Sequence, residues 1–173
     1  RLVPALTTPE GDVVGESLAI AETLAERHPD VAMWPADASA RSRARWLCAE
    51  MVGGFSAIRS DCSMQLVHVD GDFVPSEAVK ADLARIETLW AFAREAAGEG
   101  PWLFGAYSLA DAFYAPVCAR IVGYNLPVSD AARAYCEATL SDPAFQKWRA
   151  EGLKQTYDPF PYPPVGHTTP WPY

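Results

Sequence analysis

Near its N-terminus the chain reads Val3-Pro4-Ala5-Leu6, and after a short turn it reads Gly15-Glu16-Ser17. A proline lacks an N–H, and one that follows directly on a short apolar strand leaves the backbone N–H and C=O of the preceding residue free to pair with another molecule. A Glu-Ser pair at the start of a helix supplies an acceptor for an ammonium group and donors for a carboxylate. Together the two stretches predict a site for a small zwitterionic peptide.

The composition excludes several classes of partner. Half of the 173 residues are hydrophobic, which is enough for one sizeable core or two small ones. A net charge of −8 gives little electrostatic support for nucleic-acid binding. No apolar run approaches the ~20 residues of a membrane span, and no signal peptide is visible. We therefore expect neither a nucleic-acid nor a membrane partner. Because the sequence has no initial Met, the presence of an N-terminal targeting segment is left undecided.

The cysteines and histidines do not form a metal-binding pattern. No two of the four cysteines have metal-ligand spacing, the three histidines are scattered, and three of the cysteines fall inside helical patterns. A cysteine in such a pattern usually behaves as a small hydrophobic residue. We therefore expect free thiols, no metal site and a reducing, cytoplasmic location.

The first thirty residues have the pattern of two strands and a helix. Residues 2–6 read as a strand, Thr8-Pro9-Glu10-Gly11 as a turn, and Val13-Val14 as a second strand. Ser17 begins a helix that Pro29 stops. A two-stranded hairpin with one helix is marginal by itself, so this unit needs more sheet than these residues supply.

From about residue 38 to 156 the pattern is helical. Gly53-Gly54 interrupts the first helix at a cost of about 1 kcal/mol per glycine relative to alanine, which indicates a kink or a close backbone approach. Ser108 and Asp111 form a capping box at the start of a helix that is apolar on nearly every side and is therefore expected at the centre of the domain. The predicted helices run over about Ser39–Ile58, Ser76–Ala97, Leu109–Tyr124, Ser129–Leu140 and Pro143–Gln155.

The last residues, 157–173, alternate proline with aromatic residues. This composition excludes a helix and favours a polyproline-like extended chain. The segment could be a ligand for a proline-binding domain, but such a tail more often packs its rings on its own protein or stays partly mobile.

These parts, in this order, resemble the C-terminal three-quarters of a soluble, bacterial-type glutathione S-transferase. The resemblance implies an α+β, mostly helical fold: a partial thioredoxin-like domain over residues 1–30, an all-helical domain over 38–156, and a tail over 157–173. The residues that carry it are Leu2-Val3-Pro4-Ala5-Leu6, Gly15-Glu16-Ser17-Leu18-Ala19-Ile20, Leu24-Ala25-Glu26, Trp34-Pro35, Arg45-Trp46-Leu47-Cys48-Ala49-Glu50-Met51, Gly54-Phe55, Leu103-Phe104-Gly105, Ser108-Leu109-Ala110-Asp111 and Tyr114-Ala115-Pro116.

The resemblance also implies a glutathione site. Pro4 matches the family's cis-proline, and Val3 matches the residue whose backbone pairs with the cysteinyl part of glutathione. Glu16 and Ser17 match the pair that binds the γ-glutamyl amino and carboxylate groups. Taken alone, Pro4 is an ordinary edge-strand proline and Ser17 a helix cap; their joint spacing favours glutathione as the co-substrate.

The resemblance does not supply a catalytic residue. Family members place a strand, a helix and a second strand before the residues that match Val3-Pro4, and a Tyr, Ser or Cys in that segment acts on the glutathione sulfur. No residue of this sequence matches that position, so the catalytic group is expected upstream of Arg1. The expected activity is transfer of the glutathione sulfur to a hydrophobic electrophile. The alternatives are a glutathione-dependent isomerase or disulfide reductase, and a non-catalytic binding protein.

The electrophile pocket is expected between the first domain and the first long helix. The candidate lining residues are Phe55, Arg59 and Met64, with Phe113 a weaker one. Helical spacing favours a core position for Phe55, and Arg59 is either a solvated cation at a helix end or an anchor for an anionic group. Gly53-Gly54 either shapes this cleft or lets helices approach across a two-fold axis; we favour the second and expect a homodimer.

Overall fold

A computed structural model describes residues 3–97, 99–157, 164 and 166–173. The predicted polyproline extension over residues 159–163 lies outside these residues. Over the described ranges the chain forms seven helices and four short strands, which is the mostly helical α+β fold expected from the sequence. In chain order they are β1 (Ala5–Thr7), β2 (Val13–Gly15), α1 (Ser17–Arg27), α2 (Ala38–Gly53), α3 (Ser56–Asp61), β3 (His68–Asp70), α4 (Glu77–Glu95), α5 (Leu109–Gly123), α6 (Asp130–Leu140), α7 (Pro143–Gly152) and β4 (Thr168–Pro170).

The strand–turn–strand–helix unit at the N-terminus is confirmed. Strands β1 and β2 are antiparallel, with Ala5 opposite Gly15, and helix α1 follows directly. Ala21 is buried from α1 into the hydrophobic core. Arg45 of α2 donates two hydrogen bonds to the Glu22 carboxylate, at 2.6 and 2.8 Å, and so ties α1 to the first long helix.

The capping box leads into a buried central helix, α5, as predicted. The Asp111 carboxylate accepts hydrogen bonds from the Ser108 N–H at 2.8 Å and from the Ser108 hydroxyl at 3.1 Å. Further along α5, the Tyr114 hydroxyl donates to the Leu47 carbonyl of α2 at 3.2 Å. Trp90 of α4 makes an edge-on contact with Tyr114, so α5 is enclosed by its neighbours. This packing defines the core of the protein.

The single helix predicted over Ser39–Ile58 is wrong, because the chain breaks after Gly53. Gly54 is extended and Phe55 adopts a left-handed backbone with φ 56° before α3 begins at Ser56. A Cβ on Gly54 would lie 2.7 Å from the Glu50 carbonyl oxygen, so only glycine fits this turn. The Gly-Gly pair therefore ends a helix and does not merely bend it.

The pairing of β3 with β4 was not predicted. His68 lies opposite Pro170 and Asp70 opposite Thr168 in an antiparallel pair. The predicted polyproline-like conformation is therefore wrong for β4. Trp171, directly after β4, is buried in the core, in agreement with the alternative in which the tail packs on its own protein.

Candidate functional site

The two stretches that open the chain lie side by side at one end of the hairpin. Ala5 pairs with Gly15. Pro4, directly before β1, and Glu16, directly after β2, therefore lie at the same end of the β1–β2 ladder. The Val3–Pro4 peptide bond is cis, as the resemblance implies. Val3 is 92% exposed, so its backbone is accessible to a ligand strand. The structure thus brings the backbone part of the predicted peptide site next to the helix start.

Glu16 has a strained backbone and caps the helix that follows it. Its φ is 74°, which is uncommon for a residue with a side chain and costs about 1–3 kcal/mol. Its carboxylate accepts hydrogen bonds from the Leu18 N–H at 3.0 Å and the Ala19 N–H at 3.2 Å. These amides belong to the turn that was expected to bind a ligand carboxylate. A ligand carboxylate would therefore use Ser17 itself or displace the Glu16 side chain from the amides.

A cavity of about 510 Å³ joins this helix start to the helical domain. It contains Ser17 from the predicted peptide site together with three of the four predicted pocket residues, Arg59, Met64 and Phe113. The remaining lining residues come from the end of α2 and from α5: Met51, Val52, Ala112, Pro116 and Arg120. Of the predicted glutathione-site residues only Ser17 lines this cavity, so the two candidate sites meet at Ser17.

Phe55 does not line this cavity. It is only 7% exposed and belongs to the hydrophobic core, because the left-handed turn at Phe55 directs its side chain inward. The prediction that Phe55 lines the pocket is therefore corrected, and the alternative of a core position agrees with the structure.

Arg59 lies at the edge of the cavity and is held by the end of α2. Its Nη1 donates to the carbonyl oxygens of Val52 at 3.1 Å and Met51 at 3.4 Å. Cations near the C-terminus of a helix are stabilised by its unpaired carbonyls. Arg59 is therefore a helix-end cation, and its attachment to α2 also keeps positive charge beside the cavity.

Arg120 is a second cation in the cavity, and it was not predicted from the sequence. Its Nε donates to the Cys62 carbonyl at 2.8 Å and its Nη1 to the Pro116 carbonyl at 3.2 Å. The lining residues of this cavity in the described part of the chain include two arginines and no acidic side chain, and most of the others are apolar. The available signal was an arginine near the end of a helix that is apolar on nearly every side.

Three of the four cysteines, Cys48, Cys62 and Cys118, are unsuited to act as nucleophiles at neutral pH. All four are free and buried. Burial raises the pKa of Cys48 and of Cys62 to about 12, and it also raises the pKa of Cys118. Since the thiolate is the reactive form, these groups remain protonated and unreactive in the folded protein.

Within the described ranges there is neither a candidate metal-ion site nor a candidate membrane-spanning helix. There, no group of three or more His, Cys, Asp or Glu side chains is placed to hold a metal ion. In the same ranges no helix combines the length and the apolar character needed to cross a membrane.

A cis-proline hairpin with a capped helix, followed by a helical domain around one buried capped helix, defines the architecture of the glutathione S-transferases. Solved structures of glutathione transferases are similar to this chain. A glutathione transferase homologue from Burkholderia, solved with bound glutathione, has 26% identity and a TM-score of 0.63 over 88% of this chain and 73% of its own. A glutathione transferase from Methylococcus capsulatus has 26% identity and a TM-score of 0.61 over 88% and 74%. The beta-class enzyme of Sphingomonas chungbukensis, at 22% identity and a TM-score of 0.58 over 88% and 75%, supports the fold alone.

The chain therefore has the glutathione S-transferase fold, and the resemblance seen in the sequence is confirmed at that level. No protein-family model matches the sequence, and no curated protein matches it.

Proposed function

We propose that this protein binds glutathione through Val3, Pro4, Glu16 and Ser17 and transfers its sulfur to a hydrophobic electrophile. One observation carries the proposal: Ser17, at the start of α1, lines the same cavity as Met64 and Phe113. A peptide held at the hairpin end would thus have an apolar cavity beside it. The Burkholderia homologue with bound glutathione, at 26% identity, supports the choice of peptide.

The roles of the binding residues follow from their chemistry. The exposed Val3 backbone pairs with the cysteinyl part of glutathione, next to the cis-proline. The Glu16 carboxylate accepts from the γ-glutamyl ammonium in a charge-assisted hydrogen bond, which is stronger than a neutral one. The Ser17 hydroxyl donates to the γ-glutamyl carboxylate at the positive end of the α1 dipole. Arg59 attracts an anionic group, either the glycine carboxylate or a charged electrophile.

Transfer requires the glutathione thiolate, and the free thiol has a pKa of about 8.5. A hydroxyl or thiol that stabilises the thiolate would supply this step, and we assign that role to none of the described residues. The resemblance implies that the group precedes Val3-Pro4. We further propose a homodimer in a reducing, cytoplasmic setting; the four unpaired thiols support that compartment.

The test is equilibrium binding of glutathione to the purified chain and to Ser17→Ala. We expect the substitution to weaken binding by about 1–2 kcal/mol, because a buried ligand carboxylate loses a donor. This corresponds to a roughly 5- to 30-fold rise in Kd. Ser60→Ala, at an exposed serine of α3, is the matched control and should leave Kd unchanged.

An unchanged Kd in Ser17→Ala would show that the binding residues are misassigned. Binding to immobilised glutathione without turnover of an aryl halide would favour the non-catalytic alternative over transfer. Absence of both binding and turnover would contradict the proposed function.

A further inference from the structure

The loop between α3 and β3 carries Met64, and three side chains hold this loop by donating hydrogen bonds to its main-chain carbonyl groups. We call residues 62–67 the Met64 loop. Arg120 of α5 donates to the Cys62 carbonyl at 2.8 Å, Tyr124 to the Ser63 carbonyl at 3.1 Å, and Arg149 of α7 to the Leu66 carbonyl at 2.9 Å. Met64 lines the 510 Å³ cavity. The position of this loop therefore sets one wall of the candidate substrate site.

The C-terminal strand β4 forms hydrogen bonds with the segment that directly follows this loop. Strand β4 pairs with β3, which follows the Met64 loop. Beyond β3, the Gly71 N–H donates to the His167 carbonyl at 2.9 Å, and the His167 N–H donates to the Asp72 carboxylate at 2.7 Å. The end of the chain thus closes over β3 through main-chain and side-chain hydrogen bonds.

Trp171 connects the C-terminal strand to the groups that hold the loop. Its side chain is only 8% exposed. The Arg149 guanidinium carbon lies 5.6 Å from the centre of its ring, within the range of a cation–π contact. The ring also covers Gly123, where a Cβ would lie 3.4 Å from Trp171 Cζ3. Trp171 therefore restricts Arg149, whose Nε binds the loop.

We propose that Trp171 is a positioning residue: acting through Arg149, it keeps the Met64 loop against α5 and so maintains the wall that Met64 gives to the cavity. The structural part of this proposal stands on the contacts above. Its consequence for ligand binding rests on the proposed function, in which this cavity receives the electrophile.

The first test uses the chain's own thiols. In Trp171→Ala we expect Cys62, at the start of the loop, to be alkylated by N-ethylmaleimide at least tenfold faster than in the unsubstituted protein. Cys48 lies in α2, is equally buried and should keep its rate, so it serves as an internal reference. Tyr157→Ala removes an aromatic ring that is 80% exposed and is the matched control, with no change expected at either thiol.

A second variant guards against loss of the fold in Trp171→Ala. Arg149→Lys keeps the positive charge but removes the Nε donor that reaches the Leu66 carbonyl. It should also accelerate Cys62 alkylation selectively, by several-fold. Cooperative thermal unfolding of each variant establishes that the protein is folded before labelling is compared.

The second test compares two ligands by calorimetry, glutathione and S-(4-nitrobenzyl)glutathione, whose aryl group would enter the cavity. We expect the unsubstituted protein to bind the conjugate more tightly than glutathione. In Trp171→Ala this preference should fall by at least threefold while the Kd of glutathione stays the same. A role confined to stability would not separate the two ligands.

The outcomes are distinct. Unchanged Cys62 alkylation in folded variants, or an equal rise at Cys62 and Cys48, would overturn the positioning role. Selective release of Cys62 with an unchanged preference between the ligands would overturn the claim that the loop shapes the cavity. If neither ligand binds the unsubstituted protein, the proposed function fails, and the alkylation result still decides the structural part.

Discussion

Asp111 is a carboxylate with no exposed surface, and its four hydrogen bonds connect two parts of the core. Its Oδ2 accepts from the Ser108 N–H and hydroxyl, and its Oδ1 accepts from the Leu103 N–H and the Tyr135 hydroxyl, both at 3.0 Å. Burial raises the pKa of Asp111 above its ordinary value of 3.8, although these hydrogen bonds oppose the shift. The residue therefore joins the start of α5 to the preceding loop and to α6.

We expect Asp111→Asn to lower the free energy of unfolding by about 2–3 kcal/mol at pH 7. The amide cannot accept all four hydrogen bonds, and buried donors that lose a charged partner are costly. Urea unfolding of both proteins measures the difference. Ser42→Ala, at an exposed serine of α2, should change stability little and is the control.

The difference in unfolding free energy between the unsubstituted protein and Asp111→Asn should depend on pH, with a sign that the pKa of Asp111 sets. Because the folded pKa of Asp111 lies above its unfolded value, the folded state binds the proton more tightly. This contribution to stability is complete below about 3.8 and is lost as the pH rises through the folded pKa. The stability advantage over Asp111→Asn should thus be larger near pH 4 than at pH 7. An advantage that grew with pH would contradict the raised pKa.

At the scale of elements, the two glycines after α2 have different requirements. Gly54 is in contact with the Glu50 carbonyl, whereas a Cβ on Gly53, the last residue of α2, would meet nothing within 4 Å. The sequence located the interruption, but it could not tell a bend from an end. That outcome depends on the left-handed backbone at Phe55, which the burial of its ring in the core stabilises.

The two glycines therefore predict opposite effects of alanine. Gly54→Ala should lower the free energy of unfolding by about 1–3 kcal/mol, because the new methyl group overlaps a backbone oxygen. Gly53→Ala should leave it equal or raise it by up to about 1 kcal/mol, because alanine is the better helix former. Thermal unfolding of both variants makes each the control for the other. Equal losses would refute the local explanation and favour a contact of Gly53 with another chain.

At the scale of the whole molecule, α2 and α4 share an exposed aromatic cluster. Trp46 is 46% exposed and makes an edge-on contact with Phe92, with ring centres 5.3 Å apart. Its Nε1 donates to Glu50 at 3.1 Å, and Glu50 also pairs with Arg85 of α4. Aromatic residues are enriched at protein interfaces, so we expect this surface to take part in the proposed homodimer.

We expect sedimentation to give twice the chain mass of 18.9 kDa, and Trp46→Glu to give the mass of one chain. The substitution removes the aromatic ring that the interface would bury and adds a second carboxylate beside Glu50, which would have to be desolvated. Trp148→Glu, at a tryptophan of α7 that is 59% exposed, is the matched control and should not alter the mass. A monomeric unsubstituted protein would contradict the homodimer.

The sequence by itself determined the hairpin, the starts of α1 and α5, and the order of the helices apart from α3. Turn residues, caps and proline act within a few positions, so their effect is readable locally. Only the tertiary structure decided that the chain turns at Phe55 before α3, that Arg120 reaches the cavity, and that the end of the chain pairs with β3. These outcomes depend on contacts between residues far apart in the chain, which form because the core must bury apolar surface and pair its backbone groups at the same time.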